Sequence, residues 1–303
     1  MNKHIILLYF LLLLSPLAMK AQETFVYAVR GTDTLCLDVY RPSQPREDRA
    51  VVVYLHGGGF VAGSRSDSLC QVSCSLLALR GYTVLSVDYR LVSRNLLLDT
   101  IPLTHMTVHA IRAFQEAVED GSAAVAFLCQ HAKDWDVDTS KIILTGSSAG
   151  AVTILNMDYC RANGSNWVRE LPEGIRFAAV IPYSGAIYSN KRPFYKSSPS
   201  PTCFFHGTKD RLVNYDKVAL GRHHLTGSNK LAAMLLKNDW CYSLYRIEGH
   251  AHEVAYFLPQ TLEEFDAFVA QVLAGRKVQY ETSCYNVPFT FFDHRTVLQM
   301  LKK

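Results

Sequence analysis

Ile142-Ile143-Leu144-Thr145-Gly146-Ser147-Ser148-Ala149-Gly150-Ala151 is the stretch whose reading decides the fold. An apolar, β-branched run ends in two glycines that bracket a serine, the pattern G-x-S-x-G with Ser148 at its centre. The expected form is a buried strand, a sharp turn and then a helix. Gly146 and Gly150 lack β-carbons, so strand and helix can approach closely, and a strained turn would lift the Ser148 hydroxyl clear of the sheet. An ordinary Gly/Ser loop fits the pentapeptide equally well, so the remainder of the chain has to decide.

Continuous apolar runs recur on either side. Ala50–Leu55, Thr83–Val87, Phe177–Tyr183, Pro201–Gly207 and Cys241–Ile247 read as strands buried on both faces, the last of these as the final strand. Helical patterns separate them at Ser66–Leu79, from about Ala110 to Lys133 with Gly121 a point of bending, at Lys230–Leu236 and at Leu262–Leu273. Thr24–Val29 and Leu35–Tyr40 alternate as an antiparallel pair around Gly31-Thr32-Asp33. Such alternation predicts an α/β fold with a mostly parallel central sheet, an antiparallel N-terminal edge and helices on both faces. Functional side chains of these folds gather at the carboxyl ends of strands, and His56, Ser148, Asp210 and His252 each follow a different one.

A serine hydroxyl needs a base, an imidazole supplies one near neutrality, and a carboxylate orients the imidazole. Ser148, Asp210 and His252 occur in that order. Upstream, His56-Gly57-Gly58-Gly59-Phe60 closes a core strand with three glycines, which suits a row of outward-pointing amides better than a linker. Asp88-Tyr89-Arg90 reads as a brace for the loops. His250 competes with His252 for the base, and Asp216 and Asp239 compete with Asp210, though neither directly follows an apolar strand.

Together with His206-Gly207-Thr208-Lys209-Asp210 and Glu248-Gly249-His250-Ala251-His252, these motifs make residues 25–273 resemble the α/β-hydrolase superfamily. Within it the likeness is to secreted carboxylesterases and hormone-sensitive-lipase-like esterases. The resemblance implies a serine carboxylic-ester hydrolase with Ser148, Asp210 and His252 catalytic and an oxyanion hole of the Gly58, Gly59 and Ala149 amides. Phe60 and Ser147 would bind substrate, and the small Ala251 before His252 favours that histidine over His250. Short-chain or aryl esters are implied, acetyl or feruloyl groups on plant polysaccharide among them. The alternatives are an exopeptidase of the same fold and a non-catalytic binding protein on a hydrolase scaffold. No metal or organic cofactor is implied, and no large cap domain is expected.

Composition bounds the remaining choices. Residues 1–21, with Lys3, the apolar run Ile5–Leu14 and Ala21, read as a secretory signal peptide, an uncleaved anchor being the lesser alternative. Cleavage after Ala21 removes Lys3 and Lys20 and lowers the formal charge from +4 to +2, which argues against nucleic acid as a partner. The expected location is the periplasm or extracellular space of a bacterium, without a stable membrane anchor. The eight cysteines could pair in such a compartment, yet Cys203 and Cys241 lie in strand-like runs that favour buried thiols, and Cys70 and Cys74 favour helix packing over a metal pair. The hydrolase domain is expected over residues 22–275. Leu91–Val108 looks inserted, as a lid, an acyl-pocket wall or a covering loop, and 276–303 is an aromatic extension expected to pack on the body.

Overall fold

Valine and isoleucine runs bury both faces of a strand only where helices cover both sides, and this arrangement is found. A computed structural model describes residues 22–92 and 103–288. The expected signal peptide, the centre of the Leu91–Val108 stretch and Phe289, Phe291 and Phe292 lie outside the described residues. Nine strands form the main sheet: β1 (Glu23–Arg30), β2 (Asp33–Tyr40), β3 (Val51–Leu55), β4 (Thr83–Val87), β5 (Ile142–Ser147), β6 (Ala179–Tyr183), β8 (Thr202–Gly207), β11 (Tyr242–Ile247) and β12 (Gln279–Cys284). Their spatial order is β1-β2-β4-β3-β5-β6-β8-β11-β12. The β1–β2 and β2–β4 pairs are antiparallel, and every later neighbour is parallel.

Alternation along the strands divides the core into two. Val51, Val53, Leu55, Ile142 and Leu144 face one side, whereas Val52, Tyr54 and Ile143 face the other. The first side is covered by α2 (Leu103–His131), α3 (Ala149–Asn163) and α4 (Ser228–Lys237). The second is covered by α1 (Ser68–Leu79) and α5 (Leu262–Leu273), through Cys70, Cys74 and Leu77 on α1 and Phe265 and Val269 on α5. All eight cysteines are free, and Cys70, Cys74 and Cys203 are buried as packing groups, whereas Cys241 is only partly buried.

Four expectations change. Helix α2 begins at Leu103, seven residues ahead of the expected start at Ala110, and takes in the end of the stretch read as an insertion. Gly121 does not break it. The helix runs on through this residue, and a β-carbon there would stand 2.7 Å from Met157 Sδ, the end of a flexible side chain on α3. The polar loops after β6 and β8 contain a second sheet, β7 (Ala186–Ser189), β10 (His223–Gly227) and β9 (Lys217–Leu220), antiparallel in that order. Cys241–Ile247 is not the final strand, because β12 adds a parallel partner beyond it and draws residues of the expected extension into the sheet. Its sequence is polar because it is a half-exposed edge, tied by Glu281 to Tyr242 and Arg246. Among the described residues, no helix is long and apolar enough to cross a membrane.

One buried ion pair anchors α2 to the sheet. The Arg90 backbone amide and guanidinium both reach Asp120, at 2.9 and 2.8 Å, and Arg30 Nε lies 3.5 Å away. Burial pushes the Asp120 carboxyl up even with Arg90 upon it, as expected where desolvation rivals attraction. Removing one partner is therefore costlier than removing both. Arg90→Met should lower stability by about 3–5 kcal/mol, and adding Asp120→Leu should restore part of the loss. Urea denaturation of both variants is the measurement; a loss below about 1 kcal/mol for Arg90→Met would contradict the account.

Candidate active site

Ser148 lies at the β5–α3 junction with φ 51° and ψ −114°, a strained conformation for a residue with a side chain. Strain of this kind costs about 1–3 kcal/mol. It is held by the Ser148 amide donating to the Tyr183 carbonyl at 2.9 Å and by close packing below. A β-carbon on Gly150 would stand 2.0 Å from the Leu55 carbonyl oxygen, and one on Gly146 would stand 2.8 Å from it. No other residue fits either place.

The Ser148 hydroxyl donates to His252 Nε2 at 2.7 Å, and His252 Nδ1–H donates to Asp210 Oδ2 at 2.7 Å. Asp210 follows β8, and His252 opens a short 3-10 turn after β11, so the parallel β8–β11 pair sets their separation. The two turns touch at Gly207, where a β-carbon would stand 2.2 Å from the Ala251 carbonyl oxygen. The other oxygen of Asp210 accepts the Leu212 and Val213 amides at 2.9 and 3.0 Å. Burial alone would raise this carboxyl, but hydrogen bonds from His206 and His252 hold it well below the usual carboxylate range. Asp210 is buried, whereas the His252 side chain keeps 20% of its surface open, a path for protons to water.

The rival residues are occupied elsewhere. His250 pairs through Nδ1 with Glu253 at 2.9 Å and donates from Nε2 to the Val287 carbonyl at 2.7 Å. Asp216 accepts from Asn229 at 2.6 Å, and Asp239 meets Lys277 and Gln279. Two positioning residues escaped the sequence reading. His206 is fully buried, donates to the Val213 carbonyl at 2.9 Å and stands 3.3 Å from Asp210 Oδ2. Glu253 accepts the Ala251 amide at 3.1 Å and steadies the turn that carries His252. His206 stood inside the quoted His206–Asp210 motif, but nothing in its type or spacing separated it from a core histidine.

Gly58, Gly59 and Phe60 all have positive φ, 114°, 63° and 65°, so the turn after β3 reverses sharply. A β-carbon on Gly58 would lie 2.0 Å from the Ala62 carbonyl oxygen. Asp88-Tyr89-Arg90 does brace this region. Asp88 takes the Arg65 amide at 2.8 Å and its guanidinium at 2.6 Å, and the Tyr89 hydroxyl donates to the His56 carbonyl at 2.9 Å. Ala149 is the first residue of α3, where a helix leaves amides without internal acceptors. Phe60 is largely buried against Tyr89 and Phe114, with ring centroids 6.1 and 5.0 Å away. From it an aromatic row continues through Phe114 to Tyr188 at 5.6 Å and Trp167 at 6.1 Å. Ser147 is corrected as a substrate contact. It is 2% exposed and wedged between Gly57 and the buried Tyr54 phenol, because alternation along β5 turns it to the α1 and α5 side. Among the described residues, no group of three or more His, Cys, Asp or Glu side chains is placed to hold a metal ion.

Comparison with known proteins agrees with this fold. Residues 37–187 match the BD-FAE family model. Acetyl esterases of Salmonella schwarzengrund and Salmonella paratyphi B are 30% identical over 117 residues, 39% of this chain but only 30% of theirs. Esterase 2 of Thermogutta terrifontis, in its apo form, superposes with TM-score 0.61 at 22% identity, covering 85% of this chain and 97% of that one. Its propionate-bound form gives the same TM-score at 24% identity.

The relay predicts a selective reactivity. A fluorophosphonate probe should label Ser148 in the folded wild type and in His250→Ala, and labelling should fall by about 10³-fold or more in His252→Ala. Peptide mapping by mass spectrometry reads the outcome; equal losses in both histidine variants would refute the assignment.

Proposed function

From the α/β-hydrolase fold and the match of residues 37–187 to the BD-FAE family model, we propose that the chain is a serine carboxylic-ester hydrolase working through an acyl-enzyme. The observation that carries this reading is the relay Ser148–His252–Asp210, with both links at 2.7 Å. His252 Nε2 takes the Ser148 proton as the oxygen attacks the ester carbonyl, and Asp210 on Nδ1 stabilises the resulting imidazolium. His252 then gives that proton to the departing alcohol. In the second half a water is deprotonated by His252 and attacks the acyl-Ser148 carbonyl; the C–Oγ bond breaks, the acid leaves, and His252 returns the proton to Ser148 Oγ. Amides of Gly58, Gly59 and Ala149 hold the developing oxyanion, each such donor contributing about 3–4 kcal/mol in a site closed to water.

Short acyl groups are the favoured substrates, supported by the acetyl esterases over the aligned third of the chain. The aromatic row Phe60, Phe114, Tyr188 and Trp167 supports aryl esters as well, since flat rings stack on one another. Acetyl and feruloyl groups on plant polysaccharide meet both descriptions. Export is proposed from Lys3, the Ile5–Leu14 run and Ala21, with the mature chain starting at Gln22 and acting in the periplasm or outside the cell. N-terminal sequencing of the mature protein should begin at Gln22; a start at Met1 would sink export by cleavage.

On p-nitrophenyl acetate, Ser148→Ala should lower kcat/KM by about 10³-fold or more. Phe114→Ala should weaken turnover of methyl ferulate several-fold more than that of the acetate. If Ser148→Ala hydrolysed either ester at the wild-type rate, the reading would be wrong.

A further inference from the structure

The small sheet has two faces with different chemistry. On one, His223 of β10 meets the Tyr188 phenol, and Tyr188 belongs to the aromatic row that starts at Phe60. The opposite face carries Lys217 and His224, set by the register that pairs Lys217 with Thr226 and His224 with Ala219. Helix α4 turns Lys230, Met234 and Lys237 towards that face, because residues spaced by three to four share one side of a helix. The segment Arg192–Tyr195 and Trp240 complete a cleft of about 820 Å³.

Five basic side chains line this cleft, and no acidic one does. At its rim Asp216 sits 3.6 Å from Lys230, and Asp239, next to Trp240, is held by Lys277. Among the described residues, no ion pair within 4.0 Å involves Arg192, Lys217 or Lys237. Gathering like charges in a concavity repels and contributes nothing to folding, but it raises the local concentration of an anion. Flat apolar surface lies among the cations. Phe194 is 39% exposed, with Lys191 Nζ 4.4 Å over one face of its ring, and Trp240 packs edge-on against Tyr195 at 5.5 Å with its own surface partly open.

We propose that this cleft binds an oligosaccharide bearing carboxylates, separately from the Ser148 site. Cations would take the carboxylates, and Trp240 and the face of Phe194 away from Lys191 would take the C–H faces of the sugar rings. A nucleic acid is the less suitable occupant, since the charges are gathered in one bounded cleft and do not form a track for successive phosphates. The chain's formal charge of only +4 agrees with that choice. The cleft goes beyond the ester-hydrolase reading and does not depend on it.

Isothermal titration of the full chain with trigalacturonate tests the proposal, with cellotriose, inorganic phosphate and single-stranded DNA as comparisons. Trigalacturonate should bind, more weakly as salt rises towards about 0.15 M, while cellotriose does not. Lys230→Glu/Lys237→Glu reverses two exposed charges and should weaken binding about tenfold or more, leaving p-nitrophenyl acetate turnover at the wild-type level. That retained turnover shows the variant is folded, and Lys217→Gln should give a smaller loss in the same direction. Ser148→Ala should bind trigalacturonate as the wild type does, so a failed hydrolase assignment and a failed cleft assignment are read separately. Absence of trigalacturonate binding, equal binding of phosphate, tighter binding of DNA, or full affinity in the double variant would each overturn it.

Discussion

Everything at the reacting end of this molecule depends on one close contact, the passage of Gly150 over the carbonyl of Leu55. A single β-carbon would be 2.0 Å from that oxygen, so helix α3 can start directly above the β3–β5 pair only with hydrogen at that position. The contact does two things at once. It tips the backbone of Ser148 into its strained conformation, and it brings the turn after β3 alongside, since a β-carbon on Gly57 would stand 2.9 Å from Ser147 Oγ. Nucleophile and amide turn are therefore placed by the same packing, and neither can move without the other.

The second constraint is electrostatic. Asp210 accepts two amides and faces two histidines, so its charge is retained despite burial. A carboxylate so heavily engaged cannot rotate, and His252 inherits that fixity through a single 2.7 Å bond. His250 and Glu253 hold the same turn from the outer side, which explains why two histidines so close in sequence have separate tasks. One bonds Glu253 and Val287 and braces the turn; the other bonds Asp210 and presents a nitrogen to Ser148.

The strands buried on both faces were legible because burial on two sides leaves no room for polar residues, and Ser148, Asp210 and His252 were legible because each ends such a strand. What escaped notice has equally physical causes. Lys217–Leu220 and His223–Gly227 are strands of only four and five residues, with no apolar run long enough to mark them. Gln279–Cys284 is an edge strand with one neighbour, so half its surface meets water. Gly121 looked like a helix breaker on propensity alone, yet α2 runs unbroken through it, packed on Met157, which is remote in sequence. Ser147 looked like a pocket residue because neighbours in sequence invite the same role, although alternation along β5 turns it towards Tyr54.

The strand β12 has a consequence for how the base is supported. In chain order Ser148, Asp210 and His252 all precede the segment that buttresses the turn of His252. Cys284 receives the Glu248 amide at 2.9 Å, and Val287 receives His250 Nε2 at 2.7 Å, so the turn carrying His252 is completed from downstream. The chain through α5 carries all three of these residues yet lacks the far-edge strand that supports one of their turns. The turn is thus held from two sides, by Glu253 from within it and by the last parallel strand from downstream, so the sheet's outer edge is part of the support of His252.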